Sequence, residues 1–180
     1  MQLREYQQED ANFLASLPCS ACFNEQRTGK TPTALETVKL RGLQNERILI
    51  VTTASSLYQW KEEYEKWIGN SCVICTGSPK NKLKTVQNWK YGLVISLESF
   101  KETSNRSGLV KPILDQKPAM IILDEAHKIK NPKSQNAKAI FKTNGIPYRL
   151  ALTGTPAQGK PYDIYSILRF LFPSDFLPTC

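Results

Sequence analysis

The chain has 180 residues, with 24 Lys plus Arg against 16 Asp plus Glu, a formal net charge of +8, and 41% hydrophobic and 22% charged residues. One ordinary globular domain has this composition, which excludes a disordered or low-complexity chain, while aliphatic runs no longer than Ile48-Leu49-Ile50-Val51 and Met120-Ile121-Ile122-Leu123 exclude a membrane-spanning helix. The surplus of positive charge suits an anionic partner such as nucleic acid, and the opening Met1-Gln2-Leu3-Arg4-Glu5-Tyr6-Gln7, with no apolar leader core, predicts a reducing, cytoplasmic setting in which cysteines are thiols.

In chain order, six apolar runs read as strands: 19–23, 47–52, 71–76, 92–96, 119–124 and 148–153. Several are continuously apolar and not alternating, as expected of a parallel sheet covered by helices on both faces, so the fold class is α/β. Two Cys-x-x-Cys pairs, Cys19/Cys22 and Cys72/Cys75, have the spacing of a zinc knuckle. Both lie in strand segments, where side chains three apart point to opposite faces, so they read as small buried apolar groups.

After the second strand, Ser55 or Ser56 caps a helix whose Leu57, Trp60, Tyr64, Trp67 and Ile68 recur on one face, with Gly69 as its stop. The stretch 101–118 predicts a surface loop and a short helix. In the last segment Pro161 opens a docking helix with Ile164, Leu168, Leu171 and Phe172 on its buried face, and Pro173 closes it.

Two segments carry chemistry. The first strand runs into Asn24-Glu25-Gln26-Arg27-Thr28-Gly29-Lys30-Thr31 and then a helix, the order of a phosphate-binding loop. Gly29 lets backbone N–H groups curl around phosphates, Lys30 supplies a point charge between them, Thr31 sets a hydroxyl on Mg2+, and Pro32 suits the first helical turn. Asn24 occupies the position of the usual first glycine and tolerates left-handed geometry. The second segment, Met120-Ile121-Ile122-Leu123-Asp124-Glu125-Ala126-His127, runs a buried strand into two adjacent carboxylates at the edge where open α/β sheets bind ligands. Asp124 is placed to hold Mg2+ and Glu125 to orient or deprotonate water. His127 is the single histidine, which removes His-rich metal sites.

Taken together, these segments resemble the superfamily 2 helicase-like ATPases, and within them the Swi/Snf-type DNA translocases. Leu3-Arg4-Glu5-Tyr6-Gln7 is similar to the glutamine motif, which implies that Gln7 reads adenine, and residues 24–31 are similar to motif I. Leu49-Ile50-Val51-Thr52-Thr53-Ala54-Ser55-Ser56-Leu57 with Gln59-Trp60 resembles motif Ia, and Val94-Ile95-Ser96-Leu97-Glu98-Ser99-Phe100 a further nucleic-acid segment. The resemblance implies backbone contacts from Thr53, Ser55, Ser56, Ser96 and Ser99. Asp124-Glu125-Ala126-His127 with Lys128-Ile129-Lys130-Asn131-Pro132-Lys133-Ser134 resembles motif II and its Swi/Snf tail. Leu152-Thr153-Gly154-Thr155-Pro156 resembles motif III, which implies a coupling role for His127, Thr153, Gly154 and Thr155. Arg27 stands where Swi/Snf-type members usually carry Gly, and Gln158-Gly159 where Gln-Asn is common.

The family implies a RecA-like three-layer sandwich, ATP and Mg2+ as cofactors, and duplex DNA bound without sequence preference. It also implies that residues 1–180 form a single N-terminal lobe, with the second lobe and its arginine fingers absent from this chain, so that turnover by this chain alone is weak. Lys80, Lys82 and Lys84, and Lys128, Lys130, Lys133, Lys138 and Lys142, either neutralise phosphates or form solvated faces. The competing readings are a nucleotide-gated DNA-binding module without catalysis, and the motor half of a restriction or repair enzyme.

Overall fold

A computed structural model describes residues 3–25, 28–101, 108–156 and 164–176. Helix α1 (Glu5–Ser16) precedes β1 (Cys19–Cys22), α2 (Lys30–Leu40), β2 (Ile48–Thr52), α3 (Leu57–Ile68), β3 (Cys72–Cys75) and α4 (Pro79–Asn88). Strand β4 (Gly92–Ser96), α5 (Leu97–Phe100), α6 (Val110–Asp115), β5 (Met120–Leu123), α7 (Gln135–Phe141), β6 (Tyr148–Leu152) and α8 (Tyr165–Leu171) complete the chain order.

The strands form one six-stranded sheet in the order β1-β6-β5-β2-β4-β3, with every pairing parallel. All six predicted strands are present, each within one or two residues of its expected ends, and the α/β class with a parallel sheet covered on both faces is the architecture observed. Successive residues feed opposite faces: Leu49, Val51, Ile121 and Leu123 enter one core, with Val110 and Ile113 of α6 and Ile167 and Phe170 of α8. Ile48, Ile50, Met120 and Ile122 enter the other, with Leu35 and Val38 of α2 and Trp60 and Tyr64 of α3. That two-sided burial is why the strand runs carry no polar alternation.

The thiols follow the same rule. Cys72 faces the second core and Cys75 the first, as predicted from strand geometry, and burial pushes their thiols up to about 12 and about 11.

Helix α3 ends on Gly69, left-handed at φ 81°, whose N–H donates to the Glu65 carbonyl at 3.1 Å. Its start differs from expectation. A 3-10 turn, Ala54–Ser56, leads into it; Ser56 is the N-cap residue as expected, but its hydroxyl and that of Ser55 both turn to Thr53 Oγ1, at 2.9 and 3.0 Å, and make no capping hydrogen bond.

The last helix also departs from its predicted face. It buries Ser166, Ile167, Phe170 and Leu171, leaving Ile164 and Leu168 half-buried and Phe172 exposed. Nearly every position of Tyr165-Ser166-Ile167-Leu168-Arg169-Phe170-Leu171 is bulky, so periodicity selects no stripe; the Phe170 carbonyl is held instead by Arg149 of β6 at 2.6 Å. The predicted opening at Pro161 and the loop residues 102–107 lie outside the described residues, while α6 is the short helix expected in 101–118.

Gly92 opens β4 under the α3 stripe. A Cβ there would lie 2.8 Å from Cys72 Sγ and 2.9 Å from the ring of Tyr64, which is fully buried. Gly92→Ala is expected to destabilise the chain by about 2 kcal/mol through overpacking. A urea midpoint equal to that of the unaltered chain would refute this.

Candidate functional site

The phosphate-loop candidate connects β1 to α2 and is tied down by α1. Asn24 Nδ2 donates to Asp10 Oδ2 at 2.6 Å, and the Tyr6 hydroxyl and Gln7 Nε2 donate to the Thr28 carbonyl at 3.1 and 2.9 Å. Gln7 Oε1 accepts the Arg4 N–H at 2.9 Å, so each end of this buried amide has one partner and retains one more donor or acceptor site.

Gly29 sits left-handed at the N-cap of α2, where a Cβ would collide with Gln7 Nε2. Lys30 Nζ donates to the carbonyls of Asn24 and Glu25 at 3.1 and 2.9 Å, and the Thr28 hydroxyl to that of Glu25 at 2.7 Å. Thr31 lies half-buried in the first turn of α2. Gln26 and Arg27 lie outside the described residues.

Two strands away, Asp124 and Glu125 follow the carboxyl end of β5. Asp124 Oδ2 accepts from the Thr52 hydroxyl at 2.7 Å and from the Trp60 indole N–H at 2.8 Å, while Oδ1 accepts the Glu125 N–H at 2.9 Å. Glu125 holds a left-handed backbone, φ 50°, uncommon for a residue with a side chain and a conformation that concentrates at functional sites. Its Oε2 lies 3.1 Å from His127 Nδ1, which also lies 3.1 Å from Thr153 Oγ1. The Thr155 N–H donates to the same hydroxyl at 3.2 Å, and Gly154 bridges the two threonines. Because β6 lies between β1 and β5, its carboxyl end sets Thr153 beside both predicted segments; the Thr153 N–H donates to the Cys22 carbonyl at 3.1 Å.

The nucleic-acid candidates occupy the next two strand ends. Thr53, Ser55 and Ser56 follow β2 as a hydroxyl cluster with Ser55 exposed. Ser96 ends β4 and is buried: its Oγ accepts the Ser99 N–H at 3.2 Å and meets Ser99 Oγ at 3.1 Å, and Lys82 Nζ donates to Ser99 Oγ at 2.9 Å. Lys80 and Lys84 are exposed on α4, and Lys128, Lys130, Lys133, Lys138 and Lys142 are exposed after β5.

Sequence reasoning gives Trp60 a packing role and a place in the motif Ia segment, and Thr52 and Tyr6 places in their motif segments, but no polar partner to any of them, and it singles out nothing at Asp10. A tryptophan in a buried stripe carries an N–H that needs an acceptor, and that was the available signal. The donor set fits a magnesium-bound nucleoside triphosphate: an ammonium resting on replaceable carbonyls, a side-chain-free glycine at a helix N-terminus, and a carboxylate with one acceptor position left.

Residues 6–178 match the family described as "SNF2-related domain". The chain is 36% identical over 132 residues to transcription termination factor 2 of Drosophila melanogaster, covering 71% of this chain and 12% of that protein. To the chromodomain-helicase-DNA-binding protein 1-like of Mus musculus it is 30% identical over 188 residues, 98% of this chain and 20% of that protein. It therefore spans a fifth or less of these relatives. Among solved structures, the Sulfolobus solfataricus SWI2/SNF2 ATPase core in complex with dsDNA has the same fold, with TM-score 0.78, 22% identity and coverage of 96% of this chain and 36% of that one.

Proposed function

We infer, for a chain that belongs to the SNF2-related family of Swi/Snf-type, superfamily 2 helicase-like ATPases, that it is the ATP-binding lobe of a motor that moves along duplex DNA. The observation that carries this is the convergence of residues 24, 25 and 28–31 with 124–127 and 153–155 at one edge of the sheet, delivered by the neighbouring strands β1, β5 and β6. In this reading residues 1–180 are one lobe, completed by a second RecA-like lobe from elsewhere in the protein or from a partner chain.

Lys30 leaves the carbonyls of Asn24 and Glu25 to pair with the phosphates, within reach of the amides that open α2. Gln7 offers its remaining donor and acceptor to adenine. Thr31 and Asp124 hold Mg2+, which when bound neutralises charge on the phosphates. Glu125 orients and deprotonates the attacking water, and His127, linked to both Glu125 and Thr153, relays the state of the site to 153–155. Thr53, Ser55 and Ser56, with Ser96, Ser99 and Lys82 beside them, grip DNA phosphates without reading bases.

The test is binding of a fluorescent ATP analogue and ATP hydrolysis, with and without duplex DNA. Lys30→Ala is expected to weaken nucleotide binding by about tenfold to a hundredfold, the value of one charge-assisted contact. Affinity for duplex DNA is expected to fall about tenfold to fortyfold between about 50 and 200 mM salt, as two or three phosphate contacts require. Lys30-independent binding would remove the phosphate-loop assignment, and salt-insensitive DNA binding the backbone-contact assignment. Lys30-dependent binding with no hydrolysis under any condition would favour the nucleotide-gated module.

A further inference from the structure

Asp124 is held by more of the protein than its proposed role requires. A carboxylate has about four acceptor positions. Thr52 and Trp60 fill both positions of Oδ2 and the Glu125 amide fills one of Oδ1, which leaves a single position, on Oδ1. Two of the three donors come from far away in sequence, 72 and 64 residues removed. Trp60 is 2% exposed and its indole plane is fixed by the α3 stripe, so its N–H is a rigid donor. The two distant donors also flank the 53–56 hydroxyl cluster: Thr52 ends β2 immediately before it, and Trp60 stands one helical turn after Ser56.

We propose that Trp60 and Thr52 are positioning residues for Asp124: together they lock its carboxylate so that one Oδ1 position faces the metal, and so set the affinity for Mg2+ of the nucleotide-loaded lobe. The proposal rests on the reading of Asp124 as a Mg2+ ligand. Without the indole N–H, Oδ2 regains an open position, the carboxylate rotates, and the metal loses its oriented partner. Outer hydrogen bonds of this kind set metal affinity by tenfold or more.

The experiment is a Mg2+ titration of the chain saturated with a fluorescent ATP analogue. Trp60→Phe and Thr52→Val are each expected to raise the Mg2+ midpoint about tenfold, while nucleotide affinity in excess chelator stays within about twofold. Trp89→Phe, which removes an indole donating to the Tyr91 carbonyl, serves as the packing control and keeps the original midpoint. Indole resonances provide a readout in the unaltered chain. The Trp60 N–H signal is expected to move when Mg2+ is added, while those of Trp89 and of Trp67, which donates to Glu63, stay in place.

Unchanged midpoints in both variants, or a Trp60 signal indifferent to Mg2+, overturn the proposal and leave the Asp124 assignment standing. An unaltered chain whose nucleotide binding ignores Mg2+ overturns that assignment, and the proposal with it. Should Trp60→Phe fail to fold, Thr52→Val and the indole spectrum decide.

Discussion

Arg149→Met is expected to destabilise the chain by about 3 to 5 kcal/mol, with the loss read from the urea unfolding midpoint. Arg149 is 2% exposed near the start of β6, the strand beside the sheet edge, and its guanidinium meets three backbone carbonyls: Ile146 at 3.0 Å from Nε, Phe170 at 2.6 Å from Nη1 and Thr143 at 2.8 Å from Nη2. Burial lowers its pKa, and carbonyl dipoles solvate the charge in place of water. Methionine keeps much of the volume and removes every donor, stranding the carbonyls of Ile146, between α7 and β6, and of Phe170, near the end of α8, and leaving that of Thr143 with the Ile146 N–H alone. Arg149→Lys is expected to fall between, because one ammonium does not span three diverging carbonyls. A methionine variant within about 1 kcal/mol of the unaltered chain would show that water reaches those carbonyls.

Glu125→Gln is expected to lower ATP hydrolysis by about 10² to 10⁴, the usual value of a positioned general base, while nucleotide binding changes little. Glutamine keeps the shape and the left-handed backbone but cannot take a proton. The His127 contact at 3.1 Å survives as a neutral hydrogen bond, so binding and fold are separable from the chemistry. Single-turnover hydrolysis in the presence of duplex DNA is the measurement. A variant that retains rate would move the base elsewhere, with His127 the next group in the chain of contacts.

Much of the fold was legible in the sequence. A parallel sheet buried on both faces must be written as unbroken apolar runs, so 92–96 was located to the residue and the other five strands to within one or two. The segments carrying Lys30, Asp124, Glu125 and Thr153 were legible because each sits where an apolar run stops, and a parallel sheet puts all such ends on one edge. The last helix was not. With apolar groups on every side, its burial was decided by which face Arg149 and the first core received.

The hydrogen bonds of the site were illegible for a different reason. Gln7 on Thr28, Lys30 folded onto Asn24 and Glu25, and Trp60 on Asp124 depend on distances of about 3 Å between groups that the chain order does not relate. By itself the sequence determined the strand set, the two-faced core and the strand ends that carry the chemistry, because apolar burial is non-directional and its periodicity is written locally. Only the tertiary structure decided how the buried polar groups pair, including the enclosure of Asp124 by Thr52 and Trp60 and of Arg149 by three carbonyls. Hydrogen bonds are short and directional, so their partners exist only once the sheet has assembled.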